Sequence, residues 1–284
     1  NEAIARGAWE AGVELASAYP GTPSTEILEA FAPMSGVYAE WATNEKVAMD
    51  VAIGAAYAGR RAMTCMKHVG LNVAADAFFY ASMTGAEAGL VIVSADDPQM
   101  HSSQNEQDNR RYAKFARVPC LEPSDSQEAK DMVGVALDIS EEFDTPVLLR
   151  ITTRIAHSHS PVELGERIKL TPRVEKYPRN FTKYVMLPQN ARQRHPLLEQ
   201  RIALLTGYAE TFPFNRVEMG DSRLGIITCG VAYMYAREVF PDASILRLGM
   251  TYPLPRQLIS DFAAQVERLI VLEELEPFLE EEIV

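Results

Sequence analysis

One carboxylate stands apart from the other acids of the chain. Glu45 follows the strand-like residues 38–42 and the turn formers Thr43 and Asn44, after which Val47, Ala48, Val51, Ala52 and Ala55 recur at helical spacing until Gly59. Glu45 therefore occupies the first helical position, where the chain leaves the carboxyl end of a strand. In open α/β sheets that edge is where ligands bind. An acid in a first turn also complements the helix dipole, a purely structural role worth ~0.3–1 kcal/mol. The neighbours of Glu45 favour more than that. Alanine, glycine and valine crowd both sides and would desolvate the carboxylate, which suits an acid that shares a proton with a ligand nitrogen.

Three further stretches bring polar groups to an edge of this kind. Strand-like residues 62–66 end in Lys67, His68, Val69, Gly70, Leu71 and Asn72, a polar turn feeding a second helix of small residues. The turn Pro20-Gly21-Thr22-Pro23 leads into a helix expected over 24–31, with Thr22 placed to cap it and Pro23 at its first position. Free main-chain N–H groups at that start, with the Thr22 hydroxyl, also suit a carboxylate ligand. The third stretch is the loop from Ala95 to Arg111, where Asp97, His101, Ser102, Gln104, Asn105, Glu106, Asp108 and Arg110 offer every kind of polar contact. Loops of this length inside a domain are either functional or simply solvated. His68 and His101 lack a second ligand at metal spacing, and His157 and His159 lack a third, so no metal site is expected. Cys65, Cys120 and Cys229 have no CxxC spacing and read as small buried hydrophobes.

The elements that must position these groups follow from hydrophobic pattern. Strand starts at 13, 37, 62, 89, 119 and 146 alternate with helices, which predicts a doubly wound parallel-sheet α/β domain over 1–155. The run 88–94 is apolar throughout, as in a strand covered on both faces. A helix is expected over 126–143, opened by a capping box of Ser124 and Gln127. From 156 to 221 the prolines at 161, 172, 178, 188, 196 and 213 interrupt the pattern and predict a connector with one short helix over 197–208. A smaller α/β unit follows over 222–284, with strands at 224–229, 244–248 and 268–273 and a closing helix from Pro277. The glutamates at 273, 274, 276, 280, 281 and 282 read equally as a solvated helix face or a docking patch.

At 284 residues, 47% apolar and 23% charged, the chain can bury cores for two domains. Its net charge of -12 argues against nucleic acid or an anionic membrane as partner. The sequence contains neither an apolar run of ~18 residues nor a signal-peptide pattern, and the expected location is cytoplasmic. Because it starts at Asn1 without Met and stops mid-pattern at Val284, it reads as a piece of a longer protein.

Four strings, in order, carry a resemblance: YPGTPS (19–24), WATNEKVA (41–48), MKHVGLN (66–72) and HSSQNEQDNR (101–110). Together they resemble the thiamine-diphosphate-dependent 2-oxoacid ferredoxin oxidoreductases, and within them the alpha subunit of the indolepyruvate type, along essentially the whole chain. The resemblance implies that 1–155 is a pyrimidine-binding domain and 222–284 a truncated transketolase C-terminal-like domain with a structural and assembly role. It implies Glu45 as the catalytic carboxylate on the aminopyrimidine ring nitrogen, assisting removal of the thiazolium proton. His68, Val69, Gly70 and Asn72 become cofactor-binding residues, Thr22 a contact to the 2-oxo acid, and Arg110 a candidate grip on the substrate.

The activity so implied is oxidative decarboxylation of arylpyruvates to acyl-CoA, with ferredoxin as acceptor, coenzyme A as acyl acceptor, a second subunit, and assembly as a homodimer or hetero-oligomer. Mg2+ and iron-sulfur clusters are implied by the family. This sequence has neither a GDG…N segment for Mg2+ and diphosphate nor a cysteine-rich segment for clusters, so it is expected to hold the pyrimidine half of the cofactor site and to be inactive alone. Two alternatives accompany this reading: an oxidoreductase for pyruvate, 2-oxoglutarate or a branched-chain 2-oxo acid, and a noncatalytic assembly module.

Overall fold

The structure is a computed structural model in which residues 1–170, 177 and 179–284 are described. Its central strand is the apolar run of the sequence. β4 (Leu90–Asp96) is buried along its whole length and sits fourth of seven in the larger sheet. Val91 and Val93 face one core, while Leu90 and Ile92 face another, the period-2 alternation of a strand covered twice.

Around it the first unit runs α1 (Glu2–Glu10), β1 (Leu15–Ala18), α2 (Thr25–Phe31), β2 (Tyr38–Trp41), α3 (Glu45–Tyr57), β3 (Ala62–Lys67), α4 (His68–Thr84), then β4, α5 (Arg110–Ala116), β5 (Cys120–Leu121), α6 (Ser126–Phe143) and β6 (Val147–Thr152). Ile4, Phe31 and Met132 of α1, α2 and α6 pack in one core; Met49, Phe78 and Ala113 of α3, α4 and α5 pack in the other. These six strands are parallel, as expected of the doubly wound domain. Gly59, at φ +77, closes the α3 corner that the sequence assigned to it.

The remaining chain forms α7 (Thr153–His157), α8 (Phe181–Tyr184), α9 (Pro188–Ala209), β7 (Arg216–Glu218), β8 (Asp221–Cys229), α10 (Ala232–Val239), β9 (Ala243–Leu248), β10 (Met250–Tyr252), α11 (Arg256–Ala263), β11 (Leu269–Leu272) and α12 (Phe278–Ile283). A second sheet has the order β11-β8-β9-β7, with β7 antiparallel at its edge. β10 crosses back and pairs antiparallel with β5, so the larger sheet reads β10-β5-β6-β4-β3-β1-β2. Neither sheet respects a cut at 221/222: β7 precedes it, and β10 belongs with the first unit.

Four local expectations need correcting. Ser24 rather than Thr22 holds the N-cap position of α2, and no side chain caps the helix: the Ser24 hydroxyl donates to Gly21 O at 2.8 Å and Thr25 Oγ1 accepts from Gly21 N at 2.9 Å, closing the turn before the helix begins. At α6 the box is shifted by one. Asp125 accepts from Glu128 N at 2.8 Å, and Glu128 reaches back to Ser124 N at 3.0 Å.

The third concerns α9, which is 22 residues long and carries Pro196 inside it. Pro188 costs nothing at its first turn, and the helix is held from outside. Arg194 donates to Met83 O and Thr84 O, both at 3.0 Å, and Arg201 to Ser82 O at 2.7 Å, placing two cations on the carboxyl end of α4. Prolines 172 and 178 lie outside the described residues.

The fourth concerns the terminal glutamates: Glu276, Glu280, Glu281 and Glu282 are exposed, yet four of the six pair with cations of this same chain. Glu273 pairs with Arg110 at 2.7 Å and accepts from Leu279 N at the start of α12; Glu276 and Glu281 pair with Arg111, and Glu282 with Lys114. They dock the second unit onto α5. Among the described residues no helix is long and apolar enough to cross a membrane.

Candidate functional site

The strand order places a switch point at the carboxyl ends of β1 and β3. From β1 the chain moves outward to β2, then returns to the other side of β1 as β3 and continues to β4. Adjacent strands whose following helices leave on opposite faces open a crevice at that edge. α2 follows β1 into one core and α4 follows β3 into the other. The YPGTPS turn leaves β1, MKHVGLN closes β3, and Glu45 opens the helix after β2.

Asn44 caps α3 by accepting from Val47 N at 3.0 Å, which fixes Glu45 at the first helical position as read from the sequence. Glu45 is buried, with 8% of its surface exposed. No cation pairs with its carboxylate among the described residues; neighbouring Lys46 turns instead to Asp76 at 2.7 Å. The carboxylate lies against Gly70, where a Cβ would fall 2.7 Å from Glu45 Oε1 and 2.7 Å from its Cγ. The missing side chain is the space in which Glu45 stands. A buried carboxylate packed on a glycine, with no cation paired to it among the described residues, fits a ring nitrogen that carries or accepts a proton, and so fits an aminopyrimidine.

His68 begins α4 and is fully buried. Its Nε2 lies 3.0 Å from the main-chain oxygen of Asn105, so that nitrogen carries the hydrogen and donates it. Nδ1 is buried with no partner among the described residues. Val69 is half-buried beside it, and Asn72 is exposed one turn on, where its Oδ1 accepts from Tyr112 Oη at 2.7 Å. Glu45, His68, Val69 and Gly70 are therefore brought together, whereas Asn72 is tied to α5.

The loop after β4 is built around Asp97. Its carboxylate accepts from Ser102 N at 2.8 Å, Ser103 Oγ at 2.7 Å, Thr153 Oγ1 at 2.7 Å and His101 N at 3.2 Å. Burial alone would push this acid up, but those donations outweigh it and hold it well below the usual carboxylate range. Lys67 Nζ donates to Ser102 O at 3.3 Å, and Ser102 Oγ to Thr22 O at 3.4 Å, which fastens the loop across the switch point. Asn109, which sequence reasoning passed over, donates from Nδ2 to His68 O at 3.1 Å and to Ser94 Oγ at 2.8 Å. Its signal is the position just before a helix, next to a strand-end acid, Asp96, that accepts from its N–H at 3.0 Å.

Thr22 is exposed at the crevice, free of the capping role. Arg110 must be withdrawn as a substrate grip. It is fully buried, and all five of its N–H groups are engaged by Asp108, Glu273, Cys229 Sγ and the main-chain oxygens of Glu274 and Glu276. His157 and His159 are exposed beside a cleft of about 570 Å³ between α1, α2 and residues 156–164. Among the described residues no group of three His, Cys, Asp or Glu side chains is placed to hold a metal ion. The three cysteines are free and buried.

Residues 6–209 match the family model described as pyruvate flavodoxin/ferredoxin oxidoreductase, thiamine diP-bdg. The chain is 46% identical over 292 aligned positions to the indolepyruvate oxidoreductase subunit IorA of Archaeoglobus fulgidus, covering 99% of this chain and 47% of that protein. It is 47% identical to IorA of Thermococcus kodakarensis, covering 100% and 46%. The 2-oxoglutarate synthase subunit KorA of Methanothermobacter thermautotrophicus is 32% identical over 61% of this chain and 48% of its own length. The chain thus spans about half the length of the curated relatives it matches. Among solved structures, the 2-oxoglutarate:ferredoxin oxidoreductase from Magnetococcus marinus, with 2-oxoglutarate, coenzyme A and succinyl-CoA bound, superposes with a TM-score of 0.78 at 20% identity, covering 99% of this chain and 58% of that one, a likeness of fold. With the switch point, the buried Glu45 and this family match in agreement, the chain belongs to the pyruvate flavodoxin/ferredoxin oxidoreductase family and represents its thiamine diphosphate-binding part.

Proposed function

We propose that this chain is the amino-terminal half of the catalytic subunit of an oxidoreductase that decarboxylates arylpyruvates, indolepyruvate foremost, with coenzyme A taking the acyl group and ferredoxin the electrons. A second subunit completes the enzyme. The observation that carries the reading is Glu45, a buried carboxylate at the switch-point edge, packed on Gly70 and without a counter-cation among the described residues.

Thiamine diphosphate supplies the nucleophilic carbon and the electron sink that such a reaction needs. The chain's own residues prepare for it. Glu45 holds a proton at the pyrimidine ring nitrogen, in a recess where water competes little for the carboxylate. Gly70 leaves the space in which the Glu45 side chain stands, and the first turn of α4, with His68 and Val69, forms a wall beside it. Thr22 stands at the crevice for the 2-oxo acid. The remaining cofactor contacts, with Mg2+ and the iron-sulfur clusters, belong to parts of the enzyme outside these residues.

The test uses the full-length subunit in its complex. Titration with thiamine diphosphate should saturate at one equivalent per subunit, and turnover should be highest with indolepyruvate among indolepyruvate, pyruvate, 2-oxoglutarate and a branched-chain 2-oxo acid. The likeness to KorA favours one competing reading, a 2-oxoglutarate enzyme. Preference for 2-oxoglutarate in the panel would replace the arylpyruvate reading, and turnover independent of thiamine diphosphate would refute both.

A further inference from the structure

A 2-oxo acid carries its carboxylate next to the reacting carbon, so a site for it needs a cation or a set of N–H donors near Glu45. Most basic side chains on this side of the molecule are already paired. Arg110 and Arg150 serve buried acids, Lys46 serves Asp76, and Arg111 serves Glu276 and Glu281.

Lys67 is different. It is the last residue of β3, half-buried at the switch point, and its stem lies against the YPGTPS turn: a Cβ on Gly21 would meet Lys67 Cδ at 3.1 Å and Cγ at 3.2 Å. Its Nζ donates to the main-chain oxygen of Ser102 at 3.3 Å, and no carboxylate pairs with it among the described residues. Asp97, the acid at the root of that loop, is occupied by loop N–H and hydroxyl donors instead. Ser102 Oγ reaches Thr22 O at 3.4 Å, so Lys67, Thr22 and the loop meet at one corner of the crevice. The next residue, His68, buries an Nδ1 without a partner among the described residues, and Gly70 beyond it touches Glu45.

Resting on the function proposed above, the geometry points to Lys67 as the residue that receives the carboxylate of the 2-oxo acid. A lysine held by one long contact to a carbonyl exchanges it for a shorter, charge-assisted hydrogen bond when the acid arrives. The Ser102 carbonyl keeps the ammonium aimed into the crevice until then.

The experiment compares wild type with Lys67→Met and Lys67→Arg in the full-length complex loaded with thiamine diphosphate. The probes are phenyllactate, an aryl 2-hydroxy acid that cannot be decarboxylated, and its uncharged amide. Loss of a hydrogen bond to a charged group weakens phenyllactate by roughly 10- to 100-fold in Lys67→Met and leaves the amide within about twofold. Thiamine diphosphate affinity stays constant, and Lys67→Arg restores part of the loss. Unchanged phenyllactate binding overturns the assignment. So does an equal loss for acid and amide, or a parallel loss of cofactor binding, because Lys67 is then only a clip for the loop. The enzymatic reading is judged separately: phenyllactate binding that depends on Lys67, in a complex whose turnover ignores thiamine diphosphate, keeps the carboxylate site and removes the proposed function.

Discussion

Glu45 and Gly70 show how one residue's absence of side chain can matter as much as another's charge. Alanine at 70 is the better helix former by ~1 kcal/mol, yet its Cβ would occupy the position of the Glu45 carboxylate. Because Glu45 can swing aside, Gly70→Ala should leave Tm unchanged or raised while turnover of the full complex falls about 100-fold through misplacement of the acid. A lowered Tm with retained turnover would mean that Gly70 serves packing alone. Glu45 was legible because its surroundings are local: a strand, two turn formers and a helical pattern fix its place within a few residues. Arg110 was not, since nothing near it in sequence announces Glu273, which lies 163 residues away. Thr22 was misassigned as a cap because Ser24 and Thr25, equally able hydroxyls, follow immediately and bond to Gly21.

At the scale of elements, the loop between β4 and α5 owes its shape to one acid. Asp97 is held below the ordinary carboxylate range, so its contribution to stability is fully present above the unfolded value of about 3.9 and disappears only as pH falls through the lower folded value. Amide exchange at residues 101–103, measured from pH 7 down to pH 4.5, should therefore show undiminished protection once corrected for intrinsic rates. In Asp97→Asn the same amides should lose most of it throughout that range; equal protection in the variant would show that the loop is held by something else. The alternation of strands with helices and the buried character of β4 could be read from the sequence, because hydrophobic period reports element type and which faces are covered. The length of α9 could not. Its prolines read as breaks, and the contacts of Arg194 and Arg201 with the end of α4, which hold the helix together across Pro196, are tertiary.

Over the whole molecule, ion pairs help to join the two units. Arg150 of β6 bonds Asp96 at 2.7 Å and Glu122 at 2.5 Å, and Arg110 links Asp108 to Glu273 of the second unit. Pairing of this kind adds little net stability, but removing one partner strands buried charges. Arg110→Met should thus cost ~3–5 kcal/mol and detach the second unit as a separate, earlier calorimetric transition. A single transition at unchanged Tm would show that β10 pairing with β5 carries the joint. Through Asp96, which accepts from both Arg150 and Asn109 N, the same network reaches Asn109, whose Nδ2 donates to the main-chain oxygen of His68, so the site and the joint share a scaffold. In the proposed function all of this serves one proton at one ring nitrogen. Its most direct test is the rate at which the thiazolium C2 hydrogen of bound thiamine diphosphate exchanges with deuterium, in the full-length complex with and without Glu45→Gln. The account predicts a fall of about 100-fold or more in the variant with the cofactor still bound; exchange at the wild-type rate would contradict it.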